Sequence, residues 1–491
     1  MAIGAMTLEQ KPIDTTDKLP VITNWTPVIG YMPFQDDISG LFFFRLILEL
    51  YQYNNDGTLT TLIAKLKQRR NGYGPDNNGG TQRARAFFDL KEIINSVAVD
   101  TTFDQNESGL GTEGGFQSIH TLGGNTDSLL VYSVNGNSRR EETQIVKIKA
   151  LAFQEYSDSA TASPKEFPNP NASQDLWYIQ ASLPLLTPRN TDAEFIQSDV
   201  MNLYIPKSAT SLFLSDIQES TAIHNIGKVR RNYVDDFDYH TLAFLNDFDK
   251  FDSLLCQMKI TYYNADGTVA QASEVILNSA TYGGQLPASV LKDTERILYF
   301  GCGPANLREQ TANTSAQPPT DWDYYTVQGT ACTTGNAVTE LYYFIKDECT
   351  KYKRVRLAFR NSLGCYDYFN FNMKSTETTD ITRNKYNTLL GEFSSSKYYY
   401  NNTQRGQTIR SVSATTKETL ETNWITEKDA ILLKSLFVSS NVYIIKNKNN
   451  QLYNKAVIIT NTNYTKKTSV NDSLIRYIIN IEYSNSINTN S

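Results

Sequence analysis

Between Leu41 and Tyr53 the chain alternates, with Phe42, Phe44, Leu46, Leu48 and Leu50 on one side and Arg45, Glu49, Tyr51 and Tyr53 on the other. A period of two predicts a strand. Asn54-Asn-Asp-Gly57 follows, its Asp-Gly pair suited to positive φ, and the apolar run Leu59–Leu66 comes next. Together these predict a β-hairpin. Because Leu59, Leu62, Ile63 and Leu66 also fit helical spacing, the turn rather than its own period assigns the second arm. The device recurs 210 positions later, where Tyr263-Asn264-x-Asp266-Gly267-Thr268 matches Tyr53-Asn54-x-Asp56-Gly57-Thr58. Two readings stay open: duplicated β-domains, or two independent hairpins that both need an Asp-Gly turn. Each hairpin leads through a Gly-rich loop, Asn71–Gly80 or Tyr282–Gly284, to a short predicted helix, Asp89–Val97 or Pro287–Asp293.

From Thr101 to Ser173 the sequence turns to Gly, Ser, Asn and Thr, broken mainly by the strand-like run Gln144–Phe153. Long surface loops or an extended arm are expected there. Short strand patterns resume at Leu176–Ala181, Asn202–Ile205 and Ser211–Leu214. Glu340–Ile345 reads as a strand, Lys346–Thr350 as a turn, and in the next strand Val355, Leu357 and Phe359 alternate with Arg354, Arg356 and Arg360. One face is expected to be core and the other basic. Asn361–Gly364 then reads as a turn into an aromatic strand, Tyr366–Phe371, with Cys365 a buried thiol. Near the C-terminus, Thr426 and Asp429 form a capping-box-like start for a helix whose stripe is Ala430, Leu433 and Phe437. Val442–Lys446, Lys455–Thr460 and Leu474–Tyr483 read as the strands of a meander after it.

The expected fold is mainly β: multidomain β-sandwich-like modules with short helices, plus a small C-terminal α+β unit. Expected boundaries are 1–30 for an N-terminal arm, 31–100 for a first β-domain, 101–250 for a loop-rich insertion with connecting strands, 251–376 for a second β-domain and 377–491 for the α+β domain.

Length and composition add little to fold but narrow function. With 491 residues, several domains are expected; 30 Tyr and 23 Phe favour strands and interfaces. A net charge of −6 argues against a long phosphate contact, so no specific nucleic-acid binding is expected. The start carries no secretory pattern, and the most apolar run, Leu41–Leu50, is too short to span a bilayer and contains Arg45 and Glu49. No membrane insertion is expected.

Chemistry-bearing patterns are sparse. His120, His224 and His240 show no zinc spacing, and Cys256, Cys302, Cys332, Cys349 and Cys365 form no CxxC, so they read as reduced core thiols. Phosphate-loop, nucleophile-elbow and dinucleotide fingerprints do not occur. No catalytic residue, metal or cofactor is expected. The most acidic cluster, Val234–His240 with Asn246–Asp252, fails the EF-hand pattern because Thr241 stands where Gly is needed. A solvated turn is the bland reading. With Tyr233 and Tyr239 the same acids can imitate a glycosidase pair or sugar platform, which is the alternative of a glycan-binding or glycan-cleaving tail protein contacting the host surface. Tyr398-Tyr-Tyr400 can stack on sugars or bases, or pack between subunits. Tyr366, Tyr368, Tyr398, Tyr399, Tyr400 and Tyr477 are the candidate interface residues.

Cys349-Thr-Lys-Tyr352, Leu357–Gly364, Tyr366–Phe371 and Lys374-Ser375 together resemble the tail, collar or ring structural proteins of short-tailed bacteriophages, including crAss-like phages of Bacteroidetes. In that group a Cys-x-Lys-Tyr turn precedes an alternating strand, an Asn-Arg-Leu/Phe-Gly-Gly-like turn and an aromatic strand. The resemblance extends to Gly72-Tyr-Gly74, Phe88-Asp-Leu90, Asp238–Leu242, Arg405-Gly406, Val442–Ile445, Val470–Asp472 and Ile481-Glu-Tyr483. This chain departs at Cys365, where a second Gly is common, and in its long 101–230 region. The resemblance implies a non-enzymatic virion tail component, made in the host cytoplasm. Its implied partners are copies of itself in a homo-oligomeric ring and other tail or portal proteins.

Overall fold

A computed structural model describes residues 6–7, 21–22, 28–31, 41–53, 59–69, 72–74, 83–97, 145–179, 212–213, 231–245, 255–277, 297–308, 316–331, 335–337, 339, 341–347, 351–361, 364–399, 403, 406–448, 451–465, 474–485 and 487–490. The chain is mainly β and divides into two compact units, Met1–Lys346 with Asn361–Asp367, and Asp347–Arg360 with Tyr368–Ser491.

The first unit begins with β1 (Met6–Thr7), β2 (Val21–Ile22), β3 (Val28–Tyr31), β4 (Phe42–Tyr53), β5 (Leu59–Gln68), β6 (Gly72–Gly74) and β7 (Arg83–Asp89). Helix α1 (Lys91–Val97), β8 (Ile145–Ser157) and β9 (Lys165–Ile179) follow. Among the described residues, β2-β9-β8-β4-β5 form one sheet and β1-β3-β7-β6 another. The alternation read in β4 has its expected effect: Leu46, Leu48 and Leu50 pack with Ile148, Ala150 and Ala152 of β8, and Phe88, Leu90 and Ile94 cover them. On polar positions, Lys65 reaches Glu49 and Glu166 at 2.9 and 2.6 Å, and Lys67 reaches Glu155 and Glu166 at 3.0 and 2.7 Å. The hydrogen bonds that Lys65 donates to Glu166 and Glu49 push its amine up to about 12.

The same unit continues with β10 (Leu212–Phe213), β11 (Arg231–Val234), β12 (Thr241–Leu245), β13 (Leu255–Tyr263), β14 (Val269–Leu277), β15 (Ile297–Gly301), helix α2 (Pro304–Arg308), β16 (Tyr324–Ala331) and β17 (Tyr342–Lys346). Here the sheets are β11-β17-β16-β13-β14 and β10-β12-β15. The large sheets of the two halves share one topology. In each, the first strand in chain order pairs parallel with the last, which leads by antiparallel steps to the fourth, second and third. The smaller sheets correspond as β1-β3-β7 and β10-β12-β15, each followed by a short helix. Even the irregularities agree: register shifts fall at Leu50–Tyr53 in one hairpin and Ile260–Tyr263 in the other. Two unrelated hairpins would share the Asp-Gly turn but not this arrangement. The duplicated reading is the one the topology supports.

In the second half a cluster of rings joins the buried Leu242, Met258, Ile260 and Val327. Tyr325 stacks on Phe344 at 4.8 Å, and Trp322 and Tyr262 approach Tyr325 at 5.3 and 5.2 Å. The Tyr325 hydroxyl donates to the Cys302 carbonyl at 2.7 Å, tying β16 to the β15–α2 corner. That corner is further bound through His240: its carbonyl accepts from the Cys302 and Gly303 amides, and its own amide donates to Asn306 Oδ1 at 2.9 Å. A Cβ on Gly303 would collide with the backbone of Asp238 and His240. Glycine is required there for close approach.

The second unit contains β18 (Val355–Arg360), β19 (Tyr366–Phe371) from Tyr368 onward, β20 (Thr376–Asn387), β21 (Glu392–Phe393), β22 (Tyr398–Tyr399), β23 (Gln407–Glu421) and β24 (Ile425–Thr426). After α3 (Glu427–Val438) come β25 (Val442–Lys448), β26 (Gln451–Ile459), β27 (Leu474–Ile475), β28 (Ile478–Tyr483) and β29 (Ile487–Asn490). Their main sheet runs β19-β18-β25-β26-β28-β23-β20, with β29 also on β23. Leu432, Leu433 and Leu436 of α3 bury against Leu357, Ile444, Ile479 and Ile481 of that sheet. The β18–β19 turn is as expected: Gly364 adopts φ 92° and its amide donates to the Asn361 carbonyl at 3.1 Å, while Cys365 is fully buried.

Two expectations need correction. The β18 face read as basic is interior: Arg356 is 4% exposed, donates to Asn370 Oδ1 at 2.7 Å and lies 5.0 Å over the Tyr368 ring, and Arg360 is 8% exposed. Hydrogen bonding and ring stacking accommodate charges that a pattern assigns to water. Part of the loop-rich stretch is also strand. Lys165–Ser173 belongs to β9, held by its ladder to β8 and by Phe167 stacking on Tyr156 at 4.3 Å. The Asn54–Gly57 turn, the 287–293 helix, the 202–205 strand, Asn246–Asp252, His120, His224, Cys332, Cys349 and Tyr400 lie outside the described residues.

Substituting Gly303→Ala is expected to destabilise the first unit by about 1–3 kcal/mol through overpacking, read as a lower denaturant midpoint. Burial pushes the Tyr262 phenol up. The folded chain therefore keeps a proton that the unfolded chain releases near pH ~10, and stability present below that pH is lost above it. Unfolding midpoints measured across alkaline pH should fall less steeply in Tyr262→Phe than in the parent chain.

Candidate assembly surface

Sequence patterning left Thr376–Asn387 unassigned, because TETTDITRNKYN carries no apolar stripe. It forms a twelve-residue strand, every residue of which is exposed. The local cause is the density of Thr, with Ile381 and Tyr386, uninterrupted by Gly or Pro. Pairing with β23 supplies the rest. Asp380 accepts from Lys417 at 2.9 Å, which holds the lysine above its ordinary value, and Asn384 donates to Ser411 at 3.1 Å. On its outer edge β20 pairs with no strand among the described residues. Such an edge offers unpaired peptide groups to another strand.

Beyond β20 the chain makes a small tip. The Thr388 amide donates to the Gly406 carbonyl at 2.9 Å, β21 pairs with β22, and the Ser394 amide donates to Lys397 at 2.9 Å. Gly391 has φ 98°, and a side chain there would occupy the space taken by the Tyr398 ring. The tip presents Leu389 at 84% exposure, with Leu390, Tyr398 and Tyr399 also exposed. Clustered apolar exposure of this kind marks interaction surfaces.

The candidate tyrosines therefore separate by position. Tyr398 and Tyr399 are on the arm's tip, whereas Tyr366, Tyr368 and Tyr477 are interior side chains of this chain. Tyr368 carries the Arg356 guanidinium, and Tyr477 stacks on Tyr464 at 5.6 Å. An alternating aromatic strand cannot announce from sequence that both its faces are covered.

The acidic turn is knitted into the fold. Asp236 accepts from Arg308 at 2.9 Å and from the Trp322 indole at 3.2 Å, with Lys346 at 3.7 Å. Asp238 accepts from the Asp235 amide at 2.8 Å, and Tyr239 is buried, so its ring offers no platform to a sugar. Among the described residues no group of His, Cys, Asp and Glu is arranged to hold a metal ion, and no helix is long and apolar enough to cross a membrane.

Comparison with protein-family models gives no match, and comparison with curated proteins gives none either. Among solved structures, a crystal structure of a Salmonella alpha-2-macroglobulin mutant aligns at 9% identity and a TM-score of 0.15. That alignment covers 100% of this chain and 34% of the other, so this chain spans about a third of its length. A likeness at that level carries no argument about fold or function.

Replacing Leu389 and Tyr399 together with Ser is expected to leave the denaturant midpoint of the second unit within about 0.5 kcal/mol of the parent, as for exposed sites. Tyr368→Ala is expected to cost about 3–5 kcal/mol. Equal losses would erase the distinction between tip and interior.

Proposed function

We propose that this chain is a non-enzymatic structural component of a bacteriophage virion tail, a ring, collar or hub protein assembling as a symmetric oligomer around the tail axis. One observation carries the assembly half of this reading: β20 is exposed along its whole length, unpaired on its outer edge among the described residues, and continuous with an apolar tip. A surface built this way is costly in an isolated chain and useful in an assembly. The tail half rests on the ordered resemblance from Gly72-Tyr-Gly74 to Ile481-Glu-Tyr483. Duplicated β-modules fit the same role, since they supply large folded bodies. The net charge of −6 suits a wall past which DNA has to travel.

Mass measurement of purified particles tests the reading. Multiple copies of the chain per virion, seen as density around the tail axis, are expected. Particles that lack the chain while it accumulates in the infected cell would reject it.

A further inference from the structure

The outer edge of β20 has a sequence that complements itself. Glu377 and Lys385 lie four positions either side of Ile381, and Thr379 and Arg383 lie two positions either side. In an antiparallel pair related by a two-fold axis normal to the sheet, residues equally spaced about the axis stand opposite each other on one face. We propose that β20 pairs antiparallel with β20 of a second copy, with the two-fold at Ile381.

In that register each Glu377 faces a Lys385 of the other copy, Ile381 meets Ile381, and Thr379 faces Arg383. Neighbouring registers are worse. An axis at Asp380 sets that carboxylate against itself, one at Thr382 sets Ile381 against Arg383, and one at Arg383 opposes two guanidiniums. The required groups are available, because Glu377, Arg383 and Lys385 make no ion pair among the described residues, whereas Asp380 is engaged by Lys417 within its own chain. The strand's charges also balance, Glu377 and Asp380 against Arg383 and Lys385, which favours a like strand over a polyanion as occupant. Glu377, Thr379 and Ile381 stand opposite Glu418, Thr416 and Ala414 of β23 in one unbroken register up to Asn384, and the shift at Lys385 comes from the extra residue on β23, so β20 itself keeps its alternation and the second copy would extend the main sheet.

This inference uses the same edge that carries the assembly half of the tail reading, but it holds or fails whether or not the chain is part of a tail. An isologous contact joins chains in pairs, and combined with any second contact it closes into assemblies of dihedral symmetry. The test is the mass of the purified full chain across dilution, by light scattering or single-particle photometry. The parent chain is expected to be dimeric at micromolar concentration. Glu377→Lys and Lys385→Glu, each placing like charges opposite at two symmetric points, should each weaken the dimer by about tenfold or more. Combining them restores the opposite-charge pairs and should bring the dissociation constant back to within about threefold of the parent. All substituted side chains are exposed, so circular dichroism should be unchanged throughout. A monomeric parent, single swaps without effect, or a double swap no better than the singles would each overturn the proposal.

Discussion

Every β-sheet has two margins, and the peptide groups along them must find hydrogen-bond partners in the chain, in water or in another protein. Much of this structure follows from how those margins are closed. In the first unit, the two large sheets each have a short parallel strand, β2 or β11, at one side and a hairpin arm, β5 or β14, at the other. In the second unit Tyr368, Asn370 and Phe371 of β19 are buried. Along the twelve residues of β20, no strand among the described residues pairs with the outer margin.

Duplication explains how a chain of 491 residues reaches this architecture with few helices. Each half solves the same packing problem by laying a short helix and a smaller sheet's strand over the core face of a five-stranded sheet, but with different side chains. Leu48 and Leu50 of the first correspond to the buried Met258 and Ile260 of the second, which adds a ring cluster of Tyr262, Trp322, Tyr325 and Phe344. Topology is kept while side-chain identity is not, which leaves the Asp-Gly hairpin as the clearest trace in the sequence. The turn persists because positive φ at Gly267 is a backbone demand that few residues meet.

Legibility in the sequence followed the same physics. β4 was readable by period, although Ile47 and Glu49 on its other face are buried as well, and so was the stripe of α3. Strands covered on both sides were readable as strands but not as interiors, because Arg356 is buried through Asn370 and Tyr368, partners supplied by another strand. At the opposite extreme, β20 has no buried face and therefore no apolar period. The tip was half legible: Tyr398 and Tyr399 stood out by type, whereas Leu389 matters only because the fold leaves it bare. The acidic turn was conspicuous in sequence, but not its partners, since Asp236 is paired with Arg308 and Lys346 from distant segments.

The central claim is that the open margin of β20 is filled by a strand of another chain. Amide hydrogen exchange along 376–387 tests it most directly, comparing the dilute monomer with the assembled protein. About half of those amides, the outward-facing alternate set, are expected to exchange rapidly in the monomer and to become protected on assembly. Exchange that is equally fast in both states, with protection appearing elsewhere in the chain, would contradict the account.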